Sequence, residues 1–141
     1  VAITAEGDSG FYSSVNYMFD KLASMNLPVT TVAGVPAFIA AGASVGLHLV
    51  KQQERLLVIP GDVIVEELLE TIVAKRTLVI MKVPLGEAVL RPFIARHPEL
   101  HYYYFEQVGT GQEYYSSVRE EILGHSFTYF SILVIKPAFS R

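Results

Sequence analysis

Apolar residues fall in short blocks along the chain, and their spacing switches repeatedly between the period of a strand and that of a helix. Residues 1–5 are strand-like and run straight into Glu6-Gly7-Asp8. Val15, Met18, Phe19 and Leu22 then recur at helical spacing, which predicts a helix over about 11–25. Asn26-Leu27-Pro28 breaks it, and residues 29–32 read as a short strand. After an Ala33-Gly34 turn, Pro36 suits the first position of a helix, where no amide hydrogen is required. That helix should run from Ala37 to about Val45 and stop at Gly46.

Residues 48–53 look like a connecting loop, and a second series of elements follows. Residues 56–59 read as a strand that Pro60-Gly61-Asp62 turns into a helix, with Asp62 as its cap. Val65, Leu68, Leu69, Ile72 and Val73 make that helix's apolar stripe. The continuous apolar run at 77–81 predicts a strand buried on both faces. Leu85, Val89, Leu90, Phe93 and Ile94 mark another helix, with a kink or early end expected at Pro92. Residues 100–108 and 113–122 read as strands joined at Gly109-Thr110-Gly111-Gln112, and 127–135 as the last strand. The order predicts an α/β fold. Two parallel strands with their helices (residues 1–47) precede a mixed α/β sheet with an antiparallel carboxy-terminal hairpin (residues 48–141).

Composition narrows the function classes. The chain has 141 residues, enough for one domain of ordinary size and short for two. It is 51% hydrophobic and 18% charged, so it has apolar surface to bury in a core or an interface. No apolar run is long enough to span a bilayer as a helix, so no membrane partner is expected. A net charge of −3 argues against nucleic acid as a partner. The absence of Cys removes disulfides and thiolate chemistry, and the four His are scattered, so no metal site is expected. No basic segment followed by an apolar stretch opens the chain, and a cytoplasmic protein is the expectation.

A buried strand followed by a glycine and an acidic residue is how α/β proteins hold a ligand at the carboxyl edge of a sheet. Asp8 is therefore a candidate ligand residue, or else the cap of the helix that follows. Tyr102, Tyr103, Tyr104, Tyr114 and Tyr115 sit on adjoining strands, as cross-strand packing or as an aromatic wall beside a ligand or a subunit. Glu106 among them is an edge residue or a catalytic one. The pattern names no substrate and no catalytic residue.

Three stretches together resemble the tetrapyrrole methylase family. They are Glu6-Gly7-Asp8-Ser9-Gly10-Phe11-Tyr12-Ser13, Val32-Ala33-Gly34-Val35-Pro36-Ala37-Phe38 and Tyr129-Phe130-Ser131-Ile132-Leu133-Val134. The resemblance implies S-adenosylmethionine as methyl donor, no metal, and a tetrapyrrole as acceptor. It points to the branch that methylates C-20 of precorrin-2 or cobalt-factor II in cobalamin biosynthesis, as a homodimer. Carried over by position, it places Glu6, Gly7, Asp8, Phe11, Pro36, Ala37, Met81 and Val108 at the cofactor. Residues 1–47 would then be the remainder of a cofactor-side domain.

Two departures stand out: Ser9 where the family commonly has Pro, and Ala33-Gly34 with Pro36 where it often has Pro-Gly and a hydroxyl residue. Another ring position, or a non-catalytic assembly module, are the alternatives. Nothing matches the family's amino-terminal Gly-Pro-Gly-type loop, and the chain opens on a buried-looking strand, so it is expected to be the carboxy-terminal part of a longer enzyme. The 141 residues alone should then transfer no labelled methyl group to precorrin-2, and supplying the missing segment should restore transfer. Turnover by the chain alone would overturn that expectation.

Overall fold

The protein is described here by a computed structural model covering residues 1–138. The chain forms two compact units, Val1–Ala40 and the part from Ala41 onward. The first contains helix α1 (Asn16–Ser24) and the start of α2 (Ala37–Ser44). Residues 1–5 and 29–32 form no sheet ladder, contrary to the two strands expected there. Strand character belongs to a pair of segments, and these two have exposed residues such as Ile3, Val29 and Val32 with no ladder partner. Helix α1 begins at Asn16 rather than near Phe11, because residues 8–11 are held in a tight turn by the side chain of Asp8. At α2 the Pro36 carbonyl accepts from the Ala40 amide at 3.1 Å, so Pro36 is the residue before the helix rather than its first.

The second unit is built on a five-stranded mixed sheet of β1 (Leu56–Ile59), β2 (Thr77–Met81), β3 (His101–Glu106), β4 (Tyr114–Ser116) and β5 (Ser131–Lys136). Its order is β1-β2-β5-β3-β4. β1 and β2 are parallel, joined through α3 (Val65–Ala74), as a parallel pair requires. β5 enters between β2 and β3 and runs antiparallel to both. All its residues are buried, as suits a central strand. β3 and β4 form the expected hairpin.

One face of the sheet carries Leu78, Ile80, Tyr102, Tyr104, Leu133 and Ile135, packed into one core with Leu68, Leu90, Phe93 and Ile94 from α3 and α4 (Glu87–Arg96). The cap of α3 is not Asp62. The Ile64 amide donates to Glu67 Oε2 at 3.3 Å, and Lys75 ends the helix with φ +56°. Leu68 and Thr71 are its buried positions, while Val65, Leu69 and Val73 stay exposed. α4 continues through Pro92 to Arg96, so no early end occurs there.

Residues 119–124 are a helix, α5 (Arg119–Gly124), where a long strand was expected. Two arginines account for it by each capping the other's helix. Arg91 of α4 donates to the Leu123 and His125 carbonyls at 2.7 and 2.6 Å. Arg119 of α5 donates to the Ile94 and Ala95 carbonyls at 3.4 and 3.1 Å. The carbonyls that a helix leaves orphaned at its end are met from the neighbouring helix. The last strand likewise begins at Ser131, because residues 127–130 form a connection. Among the described residues no helix is long and apolar enough to cross a membrane.

Lys136 lies at the inner end of β5 with 0% exposure. Its ammonium donates to the His48 and Leu49 carbonyls at 2.7 and 2.9 Å and lies 3.6 Å from Glu54. Desolvation pushes its pKa down, and the Glu54 carboxylate partly opposes this. The side chain thus ties the segment before β1 to the sheet. Lys136→Met keeps the volume but leaves two carbonyls without a donor, and should destabilise the fold by about 1–3 kcal/mol in urea denaturation. An unchanged midpoint would mean that the segment does not need the tie.

Candidate functional site

Within the first unit the two glycine-containing stretches are held side by side by one carboxylate. Asp8 Oδ1 accepts the Gly34 amide at 2.7 Å, and Asp8 Oδ2 accepts the Gly10 amide at 2.8 Å. The Phe11 amide donates to the Asp8 carbonyl at 3.1 Å, closing a turn that the short acidic side chain stabilises from within. The crossing is tight. A Cβ on Gly34 would sit 2.0 Å from the Gly7 carbonyl oxygen, so no side chain fits there. Gly7 itself has φ +74°, and a Cβ on it would meet Val35, Pro36 and Ala37 backbone at 3.4–3.9 Å.

Gly7, Asp8, Pro36 and Ala37 are therefore brought together. Phe11 follows through the Asp8 turn, and its ring packs 5.4 Å from Phe38. Glu6 precedes them on exposed backbone. Of the two readings of Asp8, the helix cap is the one that the geometry excludes. Asp8 caps no helix, since α1 starts well beyond it at Asn16. It clasps two loops, with both carboxylate oxygens engaged by amides. The Gly34 amide, then that of Gly10, holds its carboxyl below the ordinary value of 3.8. The clasp joins positions 26 apart in sequence, which no local pattern could reveal.

In the second unit Met81 ends β2 and Val108 lies just past β3. Both flank the start of β5: Met81 is in register with Ile132, Glu106 with Ser131, and the Gln107 amide donates to the Phe130 carbonyl at 3.0 Å. They are thus at one edge of one sheet, with a strand between them. The hairpin tyrosines are mainly packing groups. Tyr102 is buried and donates to the His97 carbonyl at 2.8 Å. Tyr104 is fully buried, and burial, with the Glu106 carboxylate, raises its phenol pKa. Phe105 packs on Tyr115 with ring centres 4.9 Å apart.

Glu106 is neither a solvated edge residue nor open to a ligand. It is 7% exposed, and its Oε1 accepts from Tyr104 Oη and His125 Nε2, each at 2.6 Å. The His125 ring stacks on Tyr114 at 4.2 Å and 4°. No local pattern marks His125, which lies past a helix whose sequence has strand-like spacing. The only local signal of Arg91 is Glu87 one helical turn before it.

The model of the Tetrapyrrole (Corrin/Porphyrin) Methylases matches residues 1–122. A curated relative, the precorrin-2 C(20)-methyltransferase of Sinorhizobium sp, is 28% identical over 135 residues, covering 96% of this chain and 55% of that protein. The chain thus spans about half the length of the curated relative it matches. Among solved structures, the methyltransferase CobJ superposes with a TM-score of 0.66 at 15% identity, over 96% of this chain and 63% of its own. Uroporphyrin-III C-methyl transferase from Thermus thermophilus, complexed with S-adenyl homocysteine, gives 0.59 at 17% identity, over 94% and 63%. At these identities the structural likeness establishes the mixed α/β fold.

The clasp makes a prediction about acid. Because the folded Asp8 pKa is depressed, its contribution is fully present above pH 3.8 and is lost as the pH falls through the lower, folded value. In an NMR titration the Gly34 and Gly10 amide shifts should stay constant down to pH 3.8 and move together below it. Asp8→Asn should abolish the joint transition. A Gly34 amide that titrates above 3.8 would remove the clasp.

Proposed function

This chain belongs to the tetrapyrrole (corrin/porphyrin) methylases, and on that footing we propose that it is part of an S-adenosylmethionine-dependent enzyme methylating C-20 of precorrin-2 or cobalt-factor II in cobalamin biosynthesis. The observation that carries the reading is the Asp8 clasp, which joins two of the three stretches that resemble the family into one exposed surface. The Sinorhizobium relative, similar across almost all of this chain, favours C-20 over other ring positions. On the same reading the enzyme works in the cytoplasm as a homodimer.

The residues present suit the donor. Main-chain groups of Gly7 and of residues 34–37 lie together, and the first amides of α2 have no acceptor within the helix. Such groups match a carboxylate, ribose hydroxyls and the edge of an adenine, since a helix amino terminus favours anions. When bound, S-adenosylmethionine supplies a sulfonium methyl to a nucleophilic ring carbon. The chain's part is orientation and exclusion of water, which govern a displacement of this kind. Gly7, Pro36 and Ala37 hold the donor by backbone contacts, with Glu6 beside them and Phe11 as apolar support. Asp8 acts one step back, keeping the two loops in register. Met81 and Val108 come to the donor through the family resemblance alone, as apolar contacts.

The test uses the full-length protein. Wild type should transfer a labelled methyl group to C-20 of precorrin-2, and Asp8→Ala should weaken S-adenosylmethionine binding roughly tenfold or more in calorimetry. Label on another carbon would keep the methylase and change its substrate. Absence of both binding and transfer would overturn the reading.

A further inference from the structure

At the end of the sheet where β5 finishes, the Lys136 ammonium is surrounded by oxygens. The side chain is 0% exposed, and two successive main-chain carbonyls, those of His48 and Leu49, accept from it at 2.7 and 2.9 Å. The Glu54 carboxylate stands 3.6 Å away, longer than a hydrogen bond but near enough to balance the charge. Lysine side chains usually keep the ammonium in water, and burying one is costly unless other oxygens replace its hydration shell. Here the main chain replaces it.

The path of residues 48–54 fits that task. Two carbonyl dipoles aimed at one point repel each other unless a positive charge stands between them. The Glu54 amide donates to the Lys51 carbonyl at 2.9 Å, a turn that brings the Glu54 carboxylate back toward the ammonium. Gln52 within this turn has left-handed backbone, with φ +47°. Such a conformation in a non-glycine residue persists where its surroundings impose it.

A fourth oxygen lies on the same face of the sheet. Leu78 is in register with Ile135, and both belong to the main core. One step further along the register, Thr77 stands beside Lys136, with both side chains on the opposite face. Thr77 is 1% exposed, and its hydroxyl oxygen has no hydrogen-bond partner. An ammonium directs its three protons at fixed angles and leaves this oxygen unused, whereas a spherical ion has no such directions. Two carbonyls, a carboxylate and a hydroxyl form the oxygen set of a hard cation. Main-chain carbonyls replace the hydration shell of potassium in particular. A single carboxylate balances a single charge.

We propose that this is a monovalent-cation site that the chain fills with its own lysine. Residues 48–54 fold around one positive charge, and a potassium or ammonium ion takes the place of Lys136 when its side chain is cut back. None of these residues is assigned to the methyl donor, so the inference is independent of the methylase reading.

The test uses the full-length protein carrying Lys136→Ala, which opens room for an ion and leaves the oxygens in place. Thermal unfolding is followed in potassium, ammonium and choline chlorides at one ionic strength. In choline the variant should unfold well below the wild type. Potassium or ammonium should raise its midpoint saturably, by roughly 3 °C or more, and leave the wild type as it is in choline. Adding Glu54→Gln should remove that rescue. Crystals of the variant soaked in rubidium should show an anomalous peak between the His48 and Leu49 carbonyl oxygens, and wild-type crystals should not. An equal salt response in variant and wild type overturns the proposal. So does a variant as stable as the wild type in choline, or one that stays unfolded in every chloride.

Discussion

The ladders of β5 with its neighbours run from Met81↔Ile132 to Leu78↔Ile135 on one side and from Glu106↔Ser131 to His101↔Lys136 on the other. A strand paired along both edges and buried on both faces has no freedom of register, because a one-residue slip would turn every side chain to the opposite face. The rest of the second unit depends on that strand. Its start gathers the carboxyl ends of β2 and β3. Its far end buries Lys136, which holds the segment leading into β1.

Antiparallel insertion of β5 also explains where chemistry can be placed. β2 and β3 both run against β5, so they point the same way without touching. Their ends, with Lys82 and Gln107, form one edge together with the connection at 127–130 that leads into β5. In this geometry a residue such as Tyr104 can be core and support at once. Its ring packs with Tyr114, Phe127 and His125, while its hydroxyl reaches the Thr128 amide.

The first unit relies on a different device. It has no ladder to hold its loops, so one carboxylate takes that role, with two amides from separate loops on its two oxygens. Gly34 is required because the loops cross too closely for any side chain. A clasp of this kind keeps backbone groups exposed and oriented, which a ladder would consume.

Much of the second unit was legible in the residues themselves. Continuous apolar runs marked β1 and β2, helical spacing marked α3 and α4, and Gly109 to Gln112 marked the hairpin, because burial and turn chemistry act over a few positions. The glycines and Asp8 were visible as a motif for the same reason. The helix at 119–124 was not, since mutual capping by Arg91 and Arg119 joins residues far apart in the chain and overrides a strand-like local pattern. Nor could residues alone show that 1–5 and 29–32 form no ladder, that β5 lies in the middle, or that Glu106 is buried with His125. Pairing, register and the meeting of charged groups depend on which distant segments come into contact, and only the tertiary structure decides that.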